Sequence, residues 1–343
     1  FKQKTAYEML RSLVGSEMCI RDRYGGLGLG LTEHAIILEE FWRAEPGLAQ
    51  VLAQPAFGSD ILLLYGTEEQ KKRFLPPIAK GDGVMGFSIT EPEAGSDAGS
   101  VMTTAIREGE EYVINGNKVM ISNGTEAQFL LVFCLTHPKE PSKTKRHSIF
   151  IVETNRPGYK ADRIQGKMGL HASDTANIFF NNVRVPKENL VGAEGNGFSQ
   201  LIEFLNRSRV IIAAHATGLA QGAMEQAVQY VKKRKQFGKT IASFQITQFK
   251  VAEMATLIET ARSLTYKACW YVDRGAPNPQ LSSMAKWWAS HVAVRVVDEA
   301  LQLHGGYGYL DDYPIERFYR AAKLLSLIHI SEPTRLLSIS YAV

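Results

Sequence analysis

Two rhythms of apolar and polar positions run along the chain. Over residues 193–324 the apolar positions recur at spacings of three and four, the period of an amphipathic helix, and residues 24–82 also read as helical. Val251, Met254, Ile258, Ala261 and Leu264 share one such face, and Trp288, Val292, Val296 and Ala300 share another. Thr32 before "EHAIILEEFWRA" and Thr67 before "EEQKKRFLPPIAKG" stand where N-caps belong. Between these segments, "FLLVFCL" (129–135), "SIFIVE" (148–153) and "NIFFNNVRVP" (177–186) are β-rich runs parted by Pro, Lys and Gly. Asn115-Gly116, inside "EYVINGNKVMIS", carries the two-residue hairpin signal. The pattern predicts an α+β protein of several domains. A partial N-terminal helical domain spans 24–82, an antiparallel β-barrel or sandwich spans 83–192, and a truncated C-terminal helical bundle spans 193–324.

Both ends break these rhythms. "LVGSEMCIRDR" (13–23) and "LSLIHISEPTR" (325–335) keep neither period. Back-translated, the two runs come from one DNA string read on opposite strands, as a sequencing adapter translated into each end would be. Residues 1–23 and 325–343 are therefore expected to be non-native and are set aside from the fold. No targeting segment is read from them.

Composition narrows the class of protein. With 45% hydrophobic residues, the chain can bury a sizeable core. No run approaches the ~18 apolar residues of a membrane-spanning helix. A net charge of +4 argues against bulk nucleic-acid binding and tolerates an anionic small molecule. Cys19 lies in the set-aside run. Cys134 and Cys269 then remain, too far apart for a disulfide framework or a metal spacing. A reducing compartment fits, the cytoplasm or alternatively the mitochondrial matrix.

The chemistry gathers in short motifs. "YGGLGLG" (24–30) resembles a phosphate loop only in glycine content, because no β-branched strand precedes it. "FSITEPEAGSDAGS" (87–100) is more specific. Its glycines and small residues admit close backbone approach, and Thr90 and Ser96 supply hydroxyl donors. Arg234 amid "KKRK" reads by itself as a solvated basic face. Gln302 and the glycines of "QLHGGYGY" (302–309) read by themselves as a helix C-cap turn.

Taken together, "TEPEAGSD", "NGNKVMISNG" (115–124), "KRKQFGKTIASFQ" (233–245) and "QLHGGYGY" resemble the ordered signatures of the acyl-CoA dehydrogenase family of flavoproteins. The likeness covers 24–324. It implies an enzyme that converts an acyl-CoA thioester to a trans-2-enoyl-CoA with FAD and passes electrons to an electron-transfer flavoprotein. It also implies a dimer or tetramer with each FAD held between two subunits. Phe87, Ile89, Thr90, Gly95, Ser96, Met120, Ile121 and Ser122 would line the flavin. Arg234 would meet the pyrophosphate of the neighbouring subunit's FAD, with Phe237, Gln245, Gln302, Gly305 and Gly306 at the adenosine end. Ser96, Asn206 and Arg209 would approach the acyl-CoA, the latter two from "LNRSR" (205–209).

Three departures from the family pattern follow. Met120 stands where members often have Trp, so thioether packing replaces ring stacking. The R-D-A-[KR] segment appears as Arg320-Ala321-Ala322-Lys323. The third concerns the base that must take the substrate's α-proton. In most members it is a Glu about six residues beyond that lysine, where His329 stands here; in others it is a Glu on the substrate helix, where Ser208 stands. With the base lost beyond Lys323, the chain as given is expected to be inactive. Two alternatives remain: an oxygen-using flavin oxidase of the same fold, acyl-CoA oxidase-like or nitroalkane-oxidase-like, and an inactive FAD- or CoA-binding remnant.

Overall fold

The computed structural model describes Ile20 and residues 22–327. These divide into two compact units. One contains Ile20 with 22–30, 51–167 and 173–205; the other contains 31–50, 168–172 and 206–327.

Among the first helices, α1 covers Leu31–Ala44, α2 Pro46–Ala53, α3 Ser59–Tyr65 and α4 Glu68–Ala79. Thr67 caps α4 as its sequence predicts. Its hydroxyl accepts from the Gln70 amide at 3.2 Å, and the Gln70 side chain accepts from the Thr67 amide at 3.0 Å. Thr32 is not a cap. Helix α1 begins one residue earlier, and the Asp273 carboxylate accepts from the amides of Leu31 (2.6 Å) and Thr32 (3.0 Å). An acid supplied from far along the chain satisfies the donors that a local hydroxyl was expected to serve.

The first unit is built on a sheet. Its strands are β1 (Met85–Ser88), β2 (Thr104–Glu108), β3 (Glu111–Ser122), β4 (Phe129–Leu135), β5 (His147–Glu153), β6 (Tyr159–Arg163), β7 (Thr175–Pro186) and β8 (Leu190–Val191). They run in the order β6-β7-β3-β2-β4-β5-β8, with β1 also paired to β4. Most ladders are antiparallel, but β4 takes parallel partners in β1 and β2, so the sheet is mixed. Every residue of β4 is buried, which explains its unbroken apolar run.

Asn115-Gly116 is not the hairpin turn. It lies within β3, at a register shift against β7 between Ile114 and Gly116. The β2–β3 turn is Gly109-Glu110, with Glu108 opposite Glu111. Gly116 sits at φ +148°, and a Cβ there would fall 2.7 Å from Thr103 Cα. The glycine thus serves a bulge and a close backbone approach rather than a reversal.

The second unit is helical. It takes most of α5 (Gly197–Lys233), together with α6 (Gln245–Asp273), α7 (Pro279–His304) and α8 (Ile315–Leu327). Met254, Ile258 and Ala261 are buried on α6, as are Val292, Val296 and Ala300 on α7. Val251, Leu264 and Trp288 pack beside them partly covered. Helices α5 and α1 meet backbone to backbone. A Cβ at Gly218 would lie 2.1 Å from the Glu39 carbonyl oxygen, and one at Gly222 the same distance from that of Arg43. Helix α8 runs to Leu327, three residues past the expected native border, with Leu325 and Ser326 buried. Ile20, from the other set-aside run, is fully buried in the first unit's core. Among the described residues, no helix is long and apolar enough to cross a membrane.

Candidate cofactor and substrate site

In the first unit, the chain leaving β1 docks onto the end of β3. The Val119 amide donates to the Thr90 carbonyl at 2.9 Å. Lys118 Nζ donates to the Ile89 carbonyl at 2.7 Å. Gly86 lies so close to Ser122 that a Cβ would come within 2.7 Å of its carbonyl oxygen. Ile89, Thr90, Met120, Ile121 and Ser122, distant in sequence, are therefore neighbours. Phe87 is buried, edge-on to Phe204 with ring centroids 5.2 Å apart. Ser122 Oγ accepts from Gln54 Nε2 at 2.8 Å.

Residues 91–94 close a turn, Glu91 and Ala94 exchanging backbone hydrogen bonds of 3.0 and 3.2 Å. Gly95 and Ser96 follow it and are exposed. Met120 has φ +58° and its side chain is 66% exposed. A large apolar residue in the left-handed region persists only where its surroundings impose it. Here its neighbours do so. Val119 is tied to Thr90, and the Asn123 amide group donates to the carbonyls of Gln54 and Met85.

Beneath this surface lies a charge pair that the sequence reading missed. Lys118 is fully buried, with Nζ 2.9 Å from Glu91 Oε1. The Glu91 carboxylate also accepts from the amides of Met102 (2.6 Å) and Thr103 (2.9 Å). Burial raises the Glu91 pKa, but the Lys118 charge and these donors outweigh it and hold the carboxyl below its ordinary range.

The second unit holds a hollow of about 460 Å³ lined in part by Arg234, Gln302, Gly305 and Gly306. Helix α7 ends on Gly305 at φ +60°, so the C-cap reading of that turn also holds. The Arg234 guanidinium is 5.4 Å from the Tyr307 ring centroid. Phe237 and Gln245 do not line the hollow. Phe237 sits at φ +53° in the turn between β9 (Lys235–Gln236) and β10 (Lys239–Thr240) and is 92% exposed. Gln245 opens α6 and is also exposed.

On α5, Arg209 Nη1 donates to Asn206 Oδ1 at 2.7 Å, while Ser208 is buried. Lys286 on α7 is pushed down to about 8, by burial first and then by the charge of Arg209. The sequence reading passed over Lys286 too, although it follows Ser282 and Ala285 on the buried face of α7. Position 329 lies outside the described residues.

These residues fit a flavin dinucleotide by what they leave open. Nothing lies within 4 Å of a Cβ built at Gly95, Gly305 or Gly306, so a ligand can approach the backbone there. An exposed guanidinium fork beside two open glycines suits a diphosphate. Comparison with known proteins decides the family. Residues 6–82, 86–183 and 195–329 match the N-terminal, middle and C-terminal domains of acyl-CoA dehydrogenase, in that order. The chain belongs to the acyl-CoA dehydrogenase family. Over 311 residues it is 42% identical to an acyl-CoA dehydrogenase of Bacillus subtilis (strain 168), spanning 90% of this chain and 81% of that one.

Solved structures superpose closely. One is butyryl-CoA dehydrogenase from Megasphaera elsdenii, with a TM-score of 0.91 at 35% identity, over 98% of this chain and 88% of that one. Another comes from work on the electron transferring flavoprotein of Acidaminococcus fermentans and flavin-based electron bifurcation. It has a TM-score of 0.92 at 40% identity, over 98% and 88% of the two chains. Acyl-CoA dehydrogenases are FAD-dependent oxidoreductases, so FAD is the cofactor.

Proposed function

We propose that this acyl-CoA dehydrogenase removes one hydrogen from each of Cα and Cβ of an acyl-CoA thioester and leaves trans-2-enoyl-CoA. The observation that carries the reading is the meeting of "FSITEPEAGSD" with "NGNKVMIS" on one surface of the first unit, through Thr90–Val119 and Ile89–Lys118. FAD, when bound, supplies the acceptor for the β-hydrogen and its electron pair. The chain's own part is binding and orientation. Thr90, Ser96 and Ser122 offer hydroxyls, Met120 a thioether face and Gly95 open backbone, while buried Phe87 and Ile121 and partly buried Ile89 back that surface. Arg234 offers its fork to the pyrophosphate, with Phe237, Gln245, Gln302, Gly305 and Gly306 at the adenosine end. Asn206 and Arg209, with Ser96, would meet the acyl-CoA.

A carboxylate must take the α-proton. Ser208 cannot do so, because a serine hydroxyl is no base near neutral pH, and position 329 is His. The chain as given should therefore reduce no FAD on mixing with an acyl-CoA, and Ser208→Glu should start that reduction. The test is anaerobic mixing of the FAD-loaded protein with butyryl-CoA, read as bleaching of the flavin band near 450 nm. A Ser208→Glu variant that holds FAD yet stays unbleached by acyl-CoAs of any length would refute the reading.

An electron-transfer flavoprotein is the proposed electron acceptor, supported by the structural neighbour from A. fermentans. Slow reoxidation by oxygen, against fast reoxidation by an electron-transfer flavoprotein, is the expected result. A homo-oligomer is also proposed. Helices α6 and α7 leave Ile246 64%, Phe249 62% and Trp287 49% exposed, more apolar side chain than a solitary helix pair would leave bare.

A further inference from the structure

We infer that Lys118 is a positioning residue for the flavin surface, acting through the backbone of residues 89–103 and touching no ligand itself. The inference rests on the flavin reading above. Its ammonium is wholly buried and serves two masters at once: the Ile89 carbonyl at 2.7 Å and the Glu91 carboxylate at 2.9 Å. Glu91 passes the constraint on. Its second oxygen takes the Met102 amide and its first takes the Thr103 amide, so both ends of the loop 91–103 are gathered on one carboxylate. The next residue of β3, Val119, holds Thr90 through its amide. Two adjacent residues of β3 thereby fix Ile89, Thr90 and Glu91, immediately before Met120, Ile121 and Ser122.

Physical chemistry explains why a cation, and not a further apolar residue, occupies this place. A buried ion pair contributes little net stability against an apolar pair of the same shape, since desolvation offsets attraction. What it does supply is direction. The ammonium's donors and the carboxylate's acceptors hold three backbone groups at set angles, in a medium where each unmet group is costly. The bulge at Gly116 completes the arrangement by letting Thr103 approach β3. Lys118 sits two residues beyond that bulge, so a register change there would move it out of the pair.

The experiment compares the parent chain with Lys118→Met and with the double variant Lys118→Met/Glu91→Gln. The single change leaves Glu91 buried without its cation and can cost the fold; the double change removes both charges together. Two readouts are taken. Amide hydrogen exchange in the flavin-free protein should accelerate at least tenfold over residues 89–103 in the double variant, with 129–135 in β4 unchanged. FAD titrated onto the flavin-free protein should bind at least tenfold more weakly than to the parent.

Loop exchange equal to the parent's in the double variant would overturn the inference. So would a loosened loop that still binds FAD within twofold of the parent, which would make Lys118 structural only. If the parent itself takes no FAD, the flavin reading falls and this inference with it, whereas exchange would still report whether Lys118 holds the loop.

Discussion

The surface around residues 87–122 and the hollow around Arg234 and Gly305, both proposed to meet FAD, are held in different ways. The first is held from behind. A buried cation, a buried carboxylate and the neighbours of a strained Met120 are fixed by hydrogen bonds to three separate stretches of backbone, at Gln54, Met85–Thr90 and Met102–Thr103. The second is an open hollow at the helix end on Gly305, where exposed Arg234, Gln302 and Tyr307 and two open glycines stand beside partly covered Tyr230, stacked 4.5 Å from the buried His304 ring. One surface is organised before any ligand arrives. The exposed guanidinium and open glycines of the hollow leave room for a ligand, which agrees with the proposed sharing of FAD between two copies.

Substitutions can break this contrast, beginning with the largest effect. Glu91→Ala strands the Lys118 ammonium and should destabilise the protein by about 3–5 kcal/mol in urea unfolding, as loss of one partner of a buried pair does. A change under about 1 kcal/mol would mean that the pair is not doing what its burial implies. Arg234→Ala should leave urea unfolding unaltered, because the side chain is exposed, yet weaken FAD binding about tenfold to a hundredfold. Equal losses in both measurements would erase the distinction between the two surfaces.

Acid offers a third comparison. Glu91 has its pKa held below the ordinary 4.5, so its contribution is complete above that value and is lost as pH falls through the lowered one. As pH falls below 4.5, flavin release should therefore be steeper in the parent than in Glu91→Gln, followed by flavin fluorescence. The smallest effect belongs to Thr67→Ala, which removes one capping box and should cost about 1 kcal/mol without altering FAD affinity.

Much of this was legible beforehand, and the failures share a cause. Strand β4 matched its apolar run from Phe129 to Leu135, and Thr67 capped its helix, because both depend on neighbours in sequence. Asn115-Gly116 misled because the same dipeptide suits a turn and a bulge. Only the approach of Thr103, from another strand's lead-in, selects the bulge. Thr32 misled because its acceptor, Asp273, lies near the far end of the chain. Strand β1 has only four residues, all buried, and shows no alternation; β6, "YKADR", is polar and sits at the sheet's edge. Both strands went unread. Lys118 and Glu91 stood inside quoted motifs, yet charged residues are read as exposed unless their partner is known. His329, where the resemblance placed the base, lies outside the described residues.

Met120 carries a last consequence. Its direction is set by a left-handed backbone twist that neighbouring strands enforce, not by its own side chain. Whatever occupies that position is therefore aimed the same way, like a lens in a fixed mount. Exchanging the thioether for an indole would change the optics and polarity felt by a ring placed there while leaving the mount untouched. The site holds a single adjustable dial, separable from the machinery that points it.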